Sequence, residues 1–381
     1  MTDRAVTFRN GEIFDGTSLH SGHAIRFVDG EADEFGPEAD VGNVGEIVEL
    51  GGDILSPGYV DLQVNGGGGV MFNDDPSVET LKRIAQAHRG LGVAKFLPTL
   101  ITDTPDITRA AIEAAVEAVQ AGVVGVSGLH LEGPHLSVSR KGAHDAAMIR
   151  PMEATDLQQL LDAAKRLPLL KVTVAPESVS EDQVAAMVKA GILVSLGHTD
   201  ASYDTCCRYF AAGASVVTHL FNAMSQMGNR EPGLVGAALA SGTVSTGLIA
   251  DGVHVHPATV QAAWCAKEKP GRIFLVSDAM AVAGTDLEAF ELGGRSIQRR
   301  NGTLTLADGT LAGADLDLTT AIKVMVEQVG VSLEAALQSA TSVPASLIGK
   351  WDVGSTQPNL QLADMVRIKS DLTSAAFLDA V

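Results

Sequence analysis

Apolar and polar positions follow two different rhythms along the chain. Up to about residue 55 they form short alternating runs: Ala5-Val6-Thr7-Phe8-Arg9, Glu12-Ile13-Phe14 and His23-Ala24-Ile25-Arg26-Phe27-Val28. Asn10-Gly11 and Asp29-Gly30 separate these runs. Such pairs tolerate the left-handed backbone of tight hairpins, so a small β unit is expected here. From Ile54 onward, solid apolar runs alternate with helical spacing. The runs predict strands near 58–64, 93–100, 123–132, 170–176, 192–197, 215–220, 244–250 and 272–277. Helical patterns lie near 76–90, 154–166, 180–190, 202–212 and 257–268, and another follows Thr104-Pro105, an N-cap with proline at the first helical position. Eight apolar strands with intervening helices predict an α/β fold, a (β/α)8 TIM-type barrel. An open α/β sheet is the alternative, and it would lack a common meeting point for all the strand ends.

A polar, Gly-rich insertion follows Asp278. It carries a hairpin at Asn301-Gly302, between Gly293-Gly294-Arg295-Ser296-Ile297-Gln298 and Thr303-Leu304-Thr305-Leu306. Leu311-Ala312-Gly313-Ala314 then leads to a helix near 317–329, and a further helix follows Ser332. The last strand, Asp364-Met365-Val366-Arg367-Ile368, is expected to rejoin the N-terminal unit. The expected organisation is a barrel over 56–348 and a small β-sandwich domain from 1–55 plus 349–381.

The candidate chemistry sits where apolar strands stop. Leu129-His130-Leu131-Glu132 ends in an acid before Gly133-Pro134-His135. Leu193-Val194-Ser195-Leu196-Gly197 runs into His198, Val216-Val217-Thr218 into His219, and Phe274-Leu275-Val276-Ser277 into Asp278. Ionised carboxylates are seldom buried without a partner or a metal. One carboxylate and two imidazoles, Glu132, His198 and His219, suit a divalent ion with open positions for water and substrate. Each histidine alone could equally be a hydrogen-bonded structural residue; three such residues at equivalent strand ends favour a site. Asp278 reads as a general base and then acid, against the alternative of a helix N-cap. Gln63 and Asn65 end the first barrel strand on one face, placed to hold water or substrate. His144, in the loop Arg140-Lys141-Gly142-Ala143-His144, is a candidate substrate or oxyanion contact or a solvent-loop residue. Arg230 could take a phosphate or carboxylate, or be an exposed charge. His254 lies at the barrel mouth, whereas His20, His23 and His88 receive no role.

Composition narrows the partners. The formal net charge is −19, from 46 acidic and 27 basic side chains. That argues against a nucleic acid or an anionic membrane surface, and means an anionic substrate needs a local basic pocket. Cys206, Cys207 and Cys265 form neither a disulfide framework nor a metal motif, which points to a reducing compartment. No apolar run reaches membrane-spanning length and the N-terminus lacks signal-peptide character, so a soluble cytoplasmic protein is expected.

Taken together, these motifs resemble the N-acetylglucosamine-6-phosphate deacetylases of the amidohydrolase superfamily. The resemblance runs over essentially the whole chain. It is carried by Pro57-Gly58-Tyr59-Val60-Asp61, His130-Leu131-Glu132-Gly133-Pro134, Lys141-Gly142-Ala143-His144 and Leu196-Gly197-His198-Thr199. It continues through Thr218-His219-Leu220-Phe221-Asn222-Ala223-Met224, Gly228-Asn229-Arg230-Glu231-Pro232-Gly233, Ala250-Asp251-Gly252-Val253-His254 and Val276-Ser277-Asp278-Ala279. It implies metal ligation by Glu132, His198 and His219, a proton shuttle at Asp278, and one divalent ion per subunit, zinc first and iron, manganese or cobalt as alternatives. Ala143, His144, Asn222, Ala223, Arg230 and His254 would contact the sugar phosphate, with Leu311, Ala312 and Gly313 closing over it. A homodimer is implied, with Arg230 reaching the neighbouring site. The wider superfamily ends its first strand in His-x-His to hold a second metal; Gln63 and Asn65 stand there instead. Two other readings remain at this point: an amidohydrolase acting on another N-acyl amine or cyclic amide, and a metal-dependent sugar-binding or oxygenase-like protein.

Overall fold

The computed structural model describes residues 5–349 and 360–378. Eight strands form one parallel sheet in chain order: β1 (Tyr59–Val64), β2 (Val93–Ile101), β3 (Leu129–Glu132), β4 (Leu170–Val174), β5 (Leu193–Leu196), β6 (Val216–Val217), β7 (Ser245–Leu248) and β8 (Ile273–Leu275). The sheet closes on itself just past β8. Val64 bridges Ala279 in parallel, the Asp278 amide donates to the Gln63 carbonyl at 3.1 Å, and the Asn65 amide donates to the Ala279 carbonyl at 2.9 Å. The strand ends therefore converge, as a barrel requires and an open sheet does not.

Helices α1 (Val78–Arg89), α2 (Pro105–Gln120), α3 (Ala154–Ala164), α4 (Glu181–Lys189), α5 (Tyr203–Ala211), α6 (Gly233–Ala240) and α7 (Pro257–Ala266) follow successive strands, and α8 (Leu318–Val324) comes after the insertion. Their starts obey local chemistry. The side chains of Ser77, Thr104, Ser180, Ser202 and Asp317 each accept a first-turn amide, satisfying donors that have no partner inside the helix. Helix α6 was not anticipated. Its sequence, Gly-Leu-Val-Gly-Ala-Ala-Leu-Ala, is apolar on every side because nearly all of it is buried, so it carries no amphipathic period. The helix expected over 317–329 is split: a π-helical turn, Met325–Val329, continues α8 and ends at Gly330.

The strand expected over 123–132 is shorter than its apolar run. Gly125 and Gly128 adopt positive φ (91° and 151°) and break the extended backbone ahead of Leu129. Asp29-Gly30 does form a hairpin, with φ of 50° and 87°, joining His23–Val28 to Glu31–Pro37. Asn10-Gly11 does not. It turns a corner, because Ala5–Arg9 lies in a four-stranded sheet while Glu12–Phe14 lies in a five-stranded one. A Cβ on Gly11 would sit 2.4 Å from the Asp53 carbonyl oxygen, a close approach only glycine allows. The five-stranded sheet also takes Ile54–Pro57, and the C-terminal strands Met365–Ile368 and Ala375–Phe377 rejoin it there. Of the chain ends assigned to the small domain, residues 1–4, 350–359 and 379–381 lie outside the described residues. The insertion forms a three-stranded antiparallel sheet, Ala289–Leu292, Arg295–Arg300 and Thr303–Thr305. Leu292, Ile297 and Leu304 pack with Met71, Met280 and Ala312.

One buried carboxylate ties the two chain ends together. Asp53 accepts from Arg367 Nε at 2.6 Å, Lys369 Nζ at 3.0 Å and the Ser370 amide at 3.2 Å. Burial pushes its carboxyl up, but those hydrogen bonds outweigh it and hold it below the usual carboxylate range. A lowered folded-state value stabilises the fold above the unfolded value of about 3.9, and that stability disappears as pH falls through the lower folded value. Asp53→Asn is therefore expected to cost on the order of 1 kcal/mol near pH 7. In thermal melts the gap between variant and parent should close below about pH 4; a gap that persists to about pH 2 contradicts the pairing.

Candidate active site at the barrel mouth

Period-two alternation on β3 turns His130 and Glu132 toward the barrel axis, while Leu129 and Leu131 join the apolar layer under the helices. Glu132 pairs in register with Ile101 on β2 and Thr173 on β4, which fixes its height at the rim. Gly133 then turns the chain away with φ of 93°. Three other rim residues, each just past its strand, adopt positive φ themselves: His198 at 48°, His219 at 27° and Asp278 at 50°. That conformation costs a non-glycine residue about 1–2 kcal/mol, and such strain gathers at functional sites. No helix begins after Asp278, where the chain makes turns, so the N-cap reading of this residue does not hold.

The three expected ligand residues meet. Glu132 Oε1 lies 3.1 Å from His219 Nε2 and 3.3 Å from His198 Nε2, and the two imidazole nitrogens are 3.1 Å apart. One ligand atom from each side chain falls within 4.8 Å of the others, and all three are buried. His198 Nδ1 lies 2.8 Å from the Arg140 carbonyl oxygen. A carbonyl only accepts, so Nδ1 carries a proton and Nε2 is the nitrogen that faces the cluster. A carbonyl holding the far nitrogen is the usual arrangement of a metal-binding imidazole. Three buried polar atoms with no partner among the described residues, Gln63 Oε1, Asn65 Oδ1 and His219 Nδ1, also gather here. The donor set therefore fits a divalent cation. Burial pushes the Glu132 carboxyl up, but His198 and His219 outweigh it and hold the carboxyl well below its usual range.

Asp278 stands beside the cluster and is positioned by two carboxamides. Asn65 Nδ2 donates to its Oδ1 at 2.7 Å, and Gln63 Nε2 donates to the same oxygen at 3.1 Å. Gln63 Nε2 also reaches Glu132 Oε1 and Oε2 at 3.2 and 3.3 Å, bridging the two acids. Burial, together with the Glu132 charge, raises the Asp278 carboxyl above its usual range. Beneath lie two buried groups that sequence reasoning passed over. Asp61, pushed up to about 7 by burial, accepts the Ser277 amide across the barrel seam and the Gln63 amide of its own strand. Lys171, pushed down to about 8 by burial against the pull of Glu132, Asp61 and Asp278, donates to the Leu62 carbonyl at 3.3 Å. A lysine inside the apolar run Leu-Lys-Val-Thr-Val was a readable signal, since period two places Lys171 and Thr173 on the face opposite the hydrophobic residues.

A cavity of about 240 Å³ opens above the cluster. Ala143, His144, Asn222, Ala223, His254, Leu311 and Gly313 line it, together with Asn65, Met280, Leu292 and Thr310. Three expected contacts are not on this wall. Gln63 is buried behind it, bonded to the two acids. Ala312 packs under the inserted sheet with Met71 and Met280. Arg230 is exposed on the loop before α6. His144 Nδ1 receives the Thr102 amide at 3.3 Å, and the Thr102 hydroxyl lies 2.8 Å away. Burial pushes this imidazole down to about 3, so it is neutral with its proton on Nε2, a donor available to the cavity. Thr102 was missed because nothing local marks it; only the fold brings it under a residue 42 positions away. His254 Nδ1 is 2.6 Å from Asp251 Oδ2.

A family model described as the amidohydrolase family matches residues 54–379. The chain belongs to the amidohydrolase family. Among its amidohydrolase relatives, one named N-acetylgalactosamine-6-phosphate deacetylase, from Shewanella sp. (strain ANA-3), is 42% identical over 83% of this chain and 79% of its own length. Another, named N-acetylglucosamine-6-phosphate deacetylase, from Haemophilus influenzae, is 37% identical over 82% of each. The crystal structure of N-acetylglucosamine-6-phosphate deacetylase from Pasteurella multocida superposes with a TM-score of 0.90 at 33% identity, covering 97% of both chains.

The turn after Glu132 is the most sharply constrained backbone of this amidohydrolase site. A Cβ on Gly133 would lie 2.1 Å from Thr102 Oγ1, at a φ that side chains avoid. Gly133→Ala should destabilise the protein by about 3 kcal/mol, read as a lowered melting temperature; a change under about 1 kcal/mol contradicts this account of the turn.

Proposed function

We propose that this amidohydrolase hydrolyses the acetamide of N-acetyl-D-glucosamine 6-phosphate, yielding D-glucosamine 6-phosphate and acetate. The observation that most supports this reading is the convergence of Glu132, His198 and His219 beside Asp278 at the floor of the cavity. The names of the relatives supply the substrate class.

In this reading Glu132, with the Nε2 atoms of His198 and His219, holds one divalent cation, zinc first and iron, manganese or cobalt as alternatives. Such an ion would supply Lewis acidity and make water a stronger acid near neutral pH. Asp278, held by Asn65 and Gln63, takes the proton of the attacking water. His144 Nε2–H donates to the amide oxygen as negative charge develops there, a contact commonly worth about 3–4 kcal/mol. Asp278 then passes the proton to the leaving nitrogen as the carbon–nitrogen bond breaks. His254, Asn222 and Ala223 seat the sugar phosphate, while Leu311 and Gly313 cover it. Arg230, exposed and off the wall, completes the phosphate site of a neighbouring subunit in a homodimer. Action in the cytoplasm accords with three cysteines free of disulfides, and no helix among the described residues is long and apolar enough to cross a membrane.

A second reading keeps the chemistry and changes the sugar. The relative at 42% identity is named for the galactosamine epimer, so N-acetylgalactosamine 6-phosphate is its direct competitor. Acetate release from both epimers, compared by kcat/KM, separates the two. Chelation should abolish turnover and metal add-back restore it. Release from neither substrate by metal-loaded protein refutes the proposal. Asp278→Asn should lower kcat roughly a thousandfold while purified protein still carries its metal. Near-normal kcat in that variant removes Asp278 from the proton transfers.

A further inference from the structure

The segment over residues 140–144 forms one wall of the cavity and is held at both ends. At its start, Arg140 pairs with Asp200 at 2.6 Å, and its carbonyl receives His198 Nδ1. At its end, His144 Nδ1 rests on Thr102. Between them, Gly142 has φ of 56°, and a Cβ there would lie 3.3 Å from His198 Cε1, so the segment runs directly against the ligand cluster. The remaining anchor comes from the inserted sheet. Arg295, half-buried at the start of Arg295–Arg300, donates Nη2–H to the Ala143 carbonyl at 2.7 Å. The Ala143 side chain packs on the same cluster as Leu292 and Met280. Arg295 has no carboxylate partner among the described residues, so its charge is not drawn elsewhere. Hydrogen bonds from charged donors are shorter and stronger than neutral ones.

We propose that Arg295 is a positioning residue for catalysis. Through the Ala143 carbonyl it fixes residues 142–144 against the insertion, and so holds His144 Nε2–H at the place where the substrate's amide oxygen arrives. It acts through the backbone and does not touch the substrate. The consequence for catalysis rests on the deacetylase reading; the anchoring of the wall does not.

The test uses the full chain with Arg295→Met, which removes the donor, and Arg295→Lys, which keeps one. Hydrogen exchange of residues 141–145, measured without substrate, should speed up in the Met variant and return towards the parent rate in the Lys variant. On N-acetylglucosamine 6-phosphate, kcat/KM should fall about tenfold for Met and recover for Lys. The same factor should appear with unphosphorylated N-acetylglucosamine. In a His144→Gln background Arg295→Met should cost little more, because both changes remove one function. Additive losses, or a loss confined to the phosphorylated substrate, overturn the proposal; the latter would make Arg295 a phosphate contact. If Arg295→Met does not fold, Arg295→Gln, which removes the charge and shortens the reach, takes its place, and unchanged exchange with unchanged kcat/KM in that variant overturns the proposal equally. If the parent chain releases no acetate from either amino-sugar phosphate, the deacetylase reading fails, while the exchange result still decides the anchoring.

Discussion

A carboxylate at the axis of a barrel has left water behind and must find compensation in the protein. Glu132 finds it in two imidazoles and a carboxamide: His198, His219 and Gln63 all reach its oxygens within 3.3 Å. Every other feature of the mouth serves that arrangement. The Arg140 carbonyl fixes which nitrogen of His198 faces inward. Gln63 spans from Glu132 to Asp278 and so sets the spacing between the two carboxylates. Because a carboxamide nitrogen can only donate, this bridge holds both groups as acceptors.

The backbone accepts strain to make this possible. His198, His219 and Asp278 all occupy left-handed conformations that their side chains disfavour. Each of them lies shortly after a strand end, where the chain turns away from the barrel wall. The strain is tolerable because the flanking strands are locked in parallel register with neighbours on both sides. Closure of the barrel contributes as well: the Asp278 amide is itself part of the seam with Gln63, so the placement of Asp278 and the barrel closure share one set of hydrogen bonds.

The interior just below the site departs from the branched aliphatic filling common in such barrels. His130 lies between Thr99 and Thr173 at 3.1 and 2.8 Å, and Thr173 contacts Thr218, which contacts Ser195. Lys171 and Asp61 lie in the same interior. A fully paired polar network fixes side-chain positions more tightly than apolar packing does, because each misplaced member leaves an unsatisfied group. Glu132, His198 and His219 thus stand on a base with few alternative arrangements.

Linear features of the chain were enough to determine the chemistry on offer. An acid or imidazole that interrupts an apolar run is visible in one dimension, and so is the period of two that puts Gln63 and Asn65 on one face. Barrel order also followed from the count and spacing of the runs. The sequence could not determine which groups would oppose one another across the fold. The alanine-rich, wholly buried α6 has no polar face to reveal it. Asn10-Gly11 has hairpin composition yet joins two sheets, because Glu12–Phe14 pairs with Leu19–Ser21 and Ile54–Pro57 and not with Ala5–Arg9. Gln63 faces two carboxylates instead of the cavity, Ala312 lies under the insertion, and Thr102 sets the tautomer of His144. Each of these depends on a contact between distant segments, and such contacts exist only once packing has brought the segments together.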